Sequence, residues 1–419
     1  LSHAHSITLY ERNMSIGGHS NTVDVEIAGI TTPVDTGFIV YNNETYPNLV
    51  ELFKYLDVPT QPSDMSFAVS TDERRFEYGS GSLNAMLGQR GNAGQPRFWR
   101  MVLEIRRFFN QARSFLDKVE LDTTQSLGDF LALNGFEGDV VNRFILPMGA
   151  AIWSTRPTEM KEQPASSFLR FLASHGLLQF SGQYPWRTVL GGSRAYVTRL
   201  TNAYADGVVV GCGVDKIRRF DTGVEITDSK GQKTKHDAVV IAAHADEALQ
   251  MLSDPSELEK RLLQAFRYTE NRVILHSDAL LMPQRKRVWS SWNFMGQVDE
   301  GVSVTYWMNN LQSLDKKHSL FVSVNPFREP DPSNVHRSFE YQHPFFDVGS
   351  WRAQKELWKL QGNRNTWFCG SYFGAGFHED ALQSALAVAE ELGGVKRPWK
   401  VNNDSARIYR GVSEKEQAA

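Results

Sequence analysis

Ser6-Ile7-Thr8-Leu9-Tyr10-Glu11 is a short alternating run that ends on an acid, and Gly17-Gly18-His19-Ser20-Asn21-Thr22 follows within a few positions. Alternation of apolar and polar residues marks a half-buried strand. An acid closing such a strand beside a glycine-rich loop is the residue type that holds the ribose hydroxyls of a dinucleotide, because a carboxylate accepts two hydrogen bonds from a vicinal diol. On its own such a residue is more often a solvated strand end. Its partners lie far along the chain. Ala238-Val239-Val240-Ile241-Ala242 is continuously apolar, as expected of a parallel strand buried on both faces. Trp367-Phe368-Cys369 reads as another short buried strand, with a glycine-rich turn and a helix over about 379–392 behind it. These runs share one reading, a parallel α/β sheet assembled from separated segments.

The material between them has a different character. Val23 to Ile30 and Thr32 to Val34 form a hairpin across Gly29, and Thr45 to Leu56 has helical spacing with Leu49, Leu52, Phe53 and Leu56 on one face. From about Ser80 to Gly176 the pattern is mostly helical, with Phe98 to Leu116 the longest piece and Gln163 to His175 another. Gly191-Gly192-Ser193 precedes a helix from Arg194 to Ala205, and short strands follow at 208–210, 214–220, 223–227 and 233–236. Residues 268–276, 287–294, 302–308 and 319–324 read as antiparallel strands. The fold expected is therefore α/β in its sheet and α+β overall, with a helical plus antiparallel-sheet unit inserted into a discontinuous parallel one.

Composition narrows the function. The chain has 419 residues, enough for two or three domains at about 150 residues each. Its net charge of −3 offers no basic footprint for nucleic acid. Cys212 and Cys369 are the only cysteines; this usage argues against thiolate zinc and disulfides and suits a reducing cytoplasm. The longest apolar stretch, Phe144 to Trp153, spans 10 residues and contains Pro147, half of what a membrane span needs. The 25 Phe, 13 Tyr and 10 Trp suit a large apolar pocket or simply a core.

Three stretches carry residue types suited to binding. In Gly17-Gly18-His19-Ser20 the glycines admit close backbone approach, and the polar side chains offer donors to a phosphate or a carbonyl. Asp35-Thr36-Gly37-Phe38 is a second polar-glycine stretch. Gly370-Ser371 and Gly376-Phe377-His378-Glu379-Asp380 open a helix, whose free N–H groups favour an anionic group, although Glu379 or Asp380 equally serve as first-turn caps. His175 and Tyr372 are the only candidates for a base. The remaining histidines are scattered without metal-ligand spacing, and no metal is expected.

Taken together these stretches resemble the flavin-containing amine oxidoreductase superfamily of monoamine oxidases, protoporphyrinogen oxidase and phytoene desaturases. The resemblance implies a Rossmann-like FAD-binding domain from 1–60, 187–265 and 362–399, a substrate domain from 61–186 and 266–361, and a loose polar tail at 400–419. It places Glu11 and Arg12 at the adenosine ribose, and Gly17, Gly18, His19 and Ser20 along the pyrophosphate and flavin. Val214 falls at adenine and Ala242 near the pyrophosphate. Gly370, Ser371, Gly376, Phe377, His378 and Glu379 fall where a helix points at the isoalloxazine.

A closer resemblance is to bacterial predicted NAD/FAD-binding proteins often encoded beside cyclopropane-fatty-acyl-phospholipid synthase. It is carried by Ala151-Ile152-Trp153-Ser154, His175-Gly176-Leu177-Leu178, Gly191 to Val197, Thr305-Tyr306-Trp307-Met308-Asn309 and Gly376 to Asp380. Two departures stand out. The G-x-G-x-x-G fingerprint with its strand and helix does not appear, so the chain reads as entered partway through, and Ala381 and Ala385 occupy positions where the broader pattern has glycine. The activity implied is oxidation of a C–H bond of an apolar, lipid or fatty-acyl substrate by hydride transfer to flavin N5. The rival reading is a truncated, non-catalytic binding partner; an NAD-dependent dehydrogenase fits less well, since no second dinucleotide fingerprint appears. Peripheral membrane contact is compatible with a lipid substrate, though no basic amphipathic helix announces it.

Overall fold

The computed structural model describes residues 1–118, 125–180, 182, 184–296, 303–402 and 404–411. The expected parallel strands form, shorter than the pattern suggested. Leu9–Tyr10 pairs in parallel with Val208–Val209, and Val239–Ile241 pairs in parallel with Thr366–Phe368. Residues from the start, middle and end of the chain thus meet in parallel pairs, as the discontinuous reading required. Each strand is two or three residues long, so little backbone pairing holds them and side-chain packing does the rest. Val214–Phe220, Gly223–Asp228 and Lys233–His236 make a three-stranded antiparallel sheet. Arg219, its side chain wholly buried, ties that sheet to the Glu257–Leu263 helix through Glu259 and to Asp254. Removing one member of such a pair costs about 3–5 kcal/mol, because the other charge stays buried alone.

The largest sheet has seven strands in the order Val335–Phe345, Arg267–His276, Phe321–Val324, Val304–Trp307, Trp292–Met295, Phe67–Thr71 and Phe76–Gly79. All neighbours are antiparallel except Trp292–Met295 with Phe67–Thr71. Its longest strand, Val335–Phe345, runs 11 residues and was not legible in the sequence. Val-His-Arg-Ser-Phe-Glu-Tyr-Gln-His-Pro-Phe is mostly polar, and its Pro344 argues against a central strand; the strand lies on the sheet edge, where both are tolerated. Residues 287–288, expected to open a strand over 287–294, belong to a 3₁₀ turn (Lys286–Val288) before Trp292–Met295, and residue 302 lies outside the described residues.

The helices follow their apolar spacing. Pro96–Lys118 buries Phe98, Met101, Ile105, Phe108, Phe109 and Ala112 at three- and four-residue intervals. Proline at its first position needs no N–H partner. Ala165–Ser174 likewise starts behind Pro164 and buries Phe168, Leu169, Phe171 and Leu172. These faces meet in one apolar core that runs from the hairpin residues Val25 and Val34 to Leu357 and Phe373. Part of the tail is not loose: Ile408 is buried, Arg407 reaches Asp380 at 3.3 Å, and Arg410 meets Glu391 at 2.8 Å. Residues 412–419 lie outside the described residues.

Candidate functional site

The glycine loop is the hub. Gly17 adopts φ +118°, a conformation side chains rarely take, and a Cβ there would meet the Ser20 carbonyl oxygen at 2.9 Å. The second polar-glycine stretch runs alongside it: Phe38 N–H donates to the His19 carbonyl at 2.7 Å, and Thr36 N–H to Asn21 at 2.9 Å. A Cβ on Gly37 would sit 2.2 Å from that His19 carbonyl, so only glycine lets the two segments close.

His19 of the loop meets histidines from distant segments. The His19 ring lies 4.8 Å from Tyr341 and 5.3 Å from His343, and its Nε2 has no partner. Burial, reinforced by nearby His244, pushes His19 down to about 4. Burial, then His19 and His244, pushes His343 down to about 3. Both imidazoles are therefore neutral at physiological pH. Ser20 bonds Tyr196, whose hydroxyl lies 2.6 Å from His378 Nε2. Phe38 stacks on His378 at 4.1 Å. This chain of contacts joins the glycine loop, the Arg194–Thr201 helix and the start of the His378–Gly393 helix.

Asp35 anchors the loop from behind. It accepts from Ser193 N–H at 2.8 Å, Ser193 Oγ at 2.8 Å, Thr22 at 2.6 Å and Gln312 Nε2 at 3.1 Å. Burial still raises its carboxyl to about 6 against those bonds.

The other expected residues fall into two adjoining groups. Glu11 accepts Asn13 N–H at 2.7 Å through one carboxylate oxygen, and its carbonyl takes Cys212 N–H at 2.9 Å. That contact sets Glu11 and Arg12 beside the Gly213-Val214 strand entry. Arg12 pairs with Glu247 at 3.1 Å, which links this end to His244. Ala242 follows a strand whose Ile241 carbonyl accepts Cys369 N–H at 3.1 Å, so Ala242 lies beside Gly370 and Ser371. Gly370 is fixed by Ser384, 3.0 Å from its N–H.

Phe377 and Glu379 turn in other directions. Phe377 stacks on Phe171 at 4.5 Å and approaches Trp153 at 6.0 Å, giving an aromatic wall. Behind it His175 stacks on Phe171 at 3.8 Å, with its Nε2 unpartnered. Glu379, wholly buried, accepts Asn48 N–H, Asn48 Nδ2, Leu49 N–H and Gln383 Nε2 at 2.9–3.1 Å. Its carboxylate holds the N-terminus of the Pro47–Tyr55 helix, so only its backbone is free toward a ligand. Cys369 is buried, and its thiol is pushed up to about 12.

Sequence reading missed Tyr196, Asp35 as an anchor, and the Tyr341–His343 pair. Tyr196 lay within a stretch already singled out, and Asp35 within the second polar-glycine stretch. Tyr341 and His343 gave no signal, because the strand carrying them was not recognised.

The sequence profile described as flavin containing amine oxidoreductase matches residues 1–393. The chain belongs to that family. It is accordingly an FAD-dependent oxidoreductase. Among solved structures it is similar to cyclohexylamine oxidase from Brevibacterium oxydans, with TM-score 0.65 and 15% identity over 92% of this chain and 93% of that one. Putrescine oxidase, wild type bound to putrescine, gives TM-score 0.64 at 12% identity over 93% of each chain. A fatty acid isomerase from P. acnes that produces CLA gives TM-score 0.62 at 14% identity over 92% of each. At such identities the likeness is one of fold. No curated protein matches in sequence, and among the described residues no helix is long and apolar enough to cross a membrane.

Proposed function

We propose that this flavin-dependent oxidoreductase oxidises a C–H bond of an apolar, fatty-acyl or other lipid substrate. The observation that carries this is the aromatic wall of Phe377, Phe171 and Trp153 at the start of the His378–Gly393 helix. FAD, when bound, supplies the acceptor for a hydride equivalent at N5. The residues present fit that cofactor. A glycine loop without Cβ atoms, the unpartnered His19 Nε2 and the Phe38–His378 stack suit a flat ring with polar edges.

Glu11 would hold the ribose through its second carboxylate oxygen, and Gly17 to Ser20 would line the pyrophosphate and flavin. The helix beginning at His378 would direct its partial positive charge at the ring. Neutral His19 and His343 would donate or accept hydrogen bonds without adding charge. Phe171, Phe377 and Trp153 would exclude water and hold a hydrocarbon chain by apolar contact. A fatty acid isomerase shares this fold, so the fold accommodates a lipid as well as an amine substrate. To the same reading belong the division into a cofactor unit (1–60, 187–265, 362–399) and a substrate unit (61–186, 266–361), the kinship with proteins associated with cyclopropane-fatty-acyl-phospholipid synthase, and cytoplasmic work at a membrane surface.

The test is to add FAD to the purified chain, desalt it, and record the visible spectrum. The flavin-loaded protein is then mixed anaerobically with unsaturated fatty acids or with putrescine and cyclohexylamine. Bleaching of the flavin band by the fatty acids alone supports the reading. Bleaching by the amines alone overturns the substrate class, and a colourless desalted protein supports the non-catalytic rival.

A further inference from the structure

Four cations open onto one surface cavity of about 390 Å³, lined by Gly88, Arg90, Arg285, Lys286 and Arg287. Two tight turns close on each other to shape it: a Cβ on Gly88 would meet Val288 Cγ2 at 2.4 Å and Arg287 Cγ at 3.2 Å. Buried Glu77 fixes the second turn, accepting Gln284 N–H at 2.7 Å and Arg285 Nη1 at 2.8 Å. Arg285 is thereby neutralised. Arg90, Lys286 and Arg287 have no carboxylate partner among the described residues. In a chain of net charge −3, three unpaired cations around one cavity are a local excess of positive potential.

The rim is apolar. Leu83 is 75% exposed, Leu280 52% and Trp99 41%. Leu83 sits on the Leu83–Met86 helix, which packs against the Lys286–Val288 turn. The Trp99 indole N–H donates to Ala93 in the turn that carries Arg90. The Leu280 carbonyl takes Arg74, whose own carbonyl takes Arg285 Nη1 at 3.3 Å. Water solvates such side chains poorly, and no part of the described chain covers them.

We propose that this face docks the protein on the anionic surface of a lipid bilayer. Arg90, Lys286 and Arg287 meet headgroup phosphates, while Leu83, Leu280 and Trp99 enter the boundary between headgroups and acyl chains. Nucleic acid is a poorer occupant, since it needs a basic track along a backbone rather than one local cluster of cations. A soluble phosphate ester would leave the three apolar side chains without a role. The inference rests on the lipid reading of the substrate, which would then be drawn from the membrane the protein sits on.

The test is co-sedimentation of the full chain, FAD present, with vesicles of phosphatidylcholine alone or doped with phosphatidylglycerol. Binding is expected only to the anionic vesicles and is released by salt. The triple variant R90Q/K286Q/R287Q should bind about 100-fold more weakly, each lost cation accounting for about 5-fold. Leu83→Ser should weaken binding while leaving its salt dependence unchanged. Equal binding to both vesicles overturns the proposal, as does wild-type binding by a triple variant whose melting temperature is unaltered. Saturable binding of glycerol phosphate without vesicle binding overturns it in favour of a soluble ligand. No turnover is measured, so oxidation of fatty acids without vesicle binding would refute the docking face alone, and vesicle binding without oxidation the substrate alone.

Discussion

His175 and His276 are wholly buried, and their burial makes folding depend on pH in a calculable way. Burial first, then the charge of Arg407, holds His175 down to about 3; burial holds His276 down to about 4. His175 donates from Nδ1 to the Phe171 carbonyl at 2.9 Å, and His276 bonds Ser323 at 2.8 Å through Nε2. Both are neutral in the folded chain and take up a proton near pH 6.5 once unfolded. The unfolded state therefore binds more protons below pH 6.5. Stability is fully present above that pH and is lost as pH falls toward 4 and 3, by about 1.4 kcal/mol per pH unit for each residue. Between pH 6.5 and 5 each contributes a loss of about 2 kcal/mol, a large share of a typical 5–15 kcal/mol. Asp35 pulls the other way. Its raised pKa of about 6 adds stability as pH falls from 6 toward 3.8 and offsets about one histidine there, while buried His19 and His343 add to the loss. Urea unfolding at several pH values should show the net slope, and His175→Phe, which keeps a ring between Phe171 and Trp186, should reduce it by about 1.4 kcal/mol per unit. An unchanged slope in His175→Phe would refute the assignment of a buried neutral imidazole.

Three further outcomes are expected. Gly37→Ala places a methyl 2.2 Å from the His19 carbonyl, so it should cost about 1–3 kcal/mol of stability and weaken FAD retention on desalting. Normal retention would mean the glycine loop does not meet the cofactor. Glu379→Ala strands four buried donors and should lower stability by about 3–5 kcal/mol in chemical denaturation; a loss under 1 kcal/mol would show that the Pro47–Tyr55 helix is held otherwise. Tyr196→Phe cuts the link between Ser20 and His378. FAD fluorescence titration should show about tenfold weaker binding, the worth of about one hydrogen bond, with little change in melting temperature.

Local pattern made the elements legible wherever period and burial agreed. The Pro96–Lys118 helix shows its buried face at every third or fourth residue, and Val239–Ile241 pairs in parallel as its apolar run suggested, although Val239 and Val240 are only half-buried. Glu11, the glycine loop and the His378 helix start were visible because strand ends, turns and helix entries demand particular residues. The strand Val335–Phe345 was invisible because an edge position imposes neither alternation nor exclusion of proline.

What the sequence by itself determined was the main helices, the parallel strands drawn from distant segments and the glycine-rich stretches between elements. Only the tertiary structure decided which of those residues face one another. It turned the Glu379 carboxylate onto a helix N-terminus and drew His19, His244 and His343 from three distant segments to one place. It also set Arg90, Lys286 and Arg287 around one cavity. The physical reason is the same throughout. Local propensity acts over a few residues, whereas burial, ion pairing and the neutralisation of histidine depend on neighbours that stand up to hundreds of positions away.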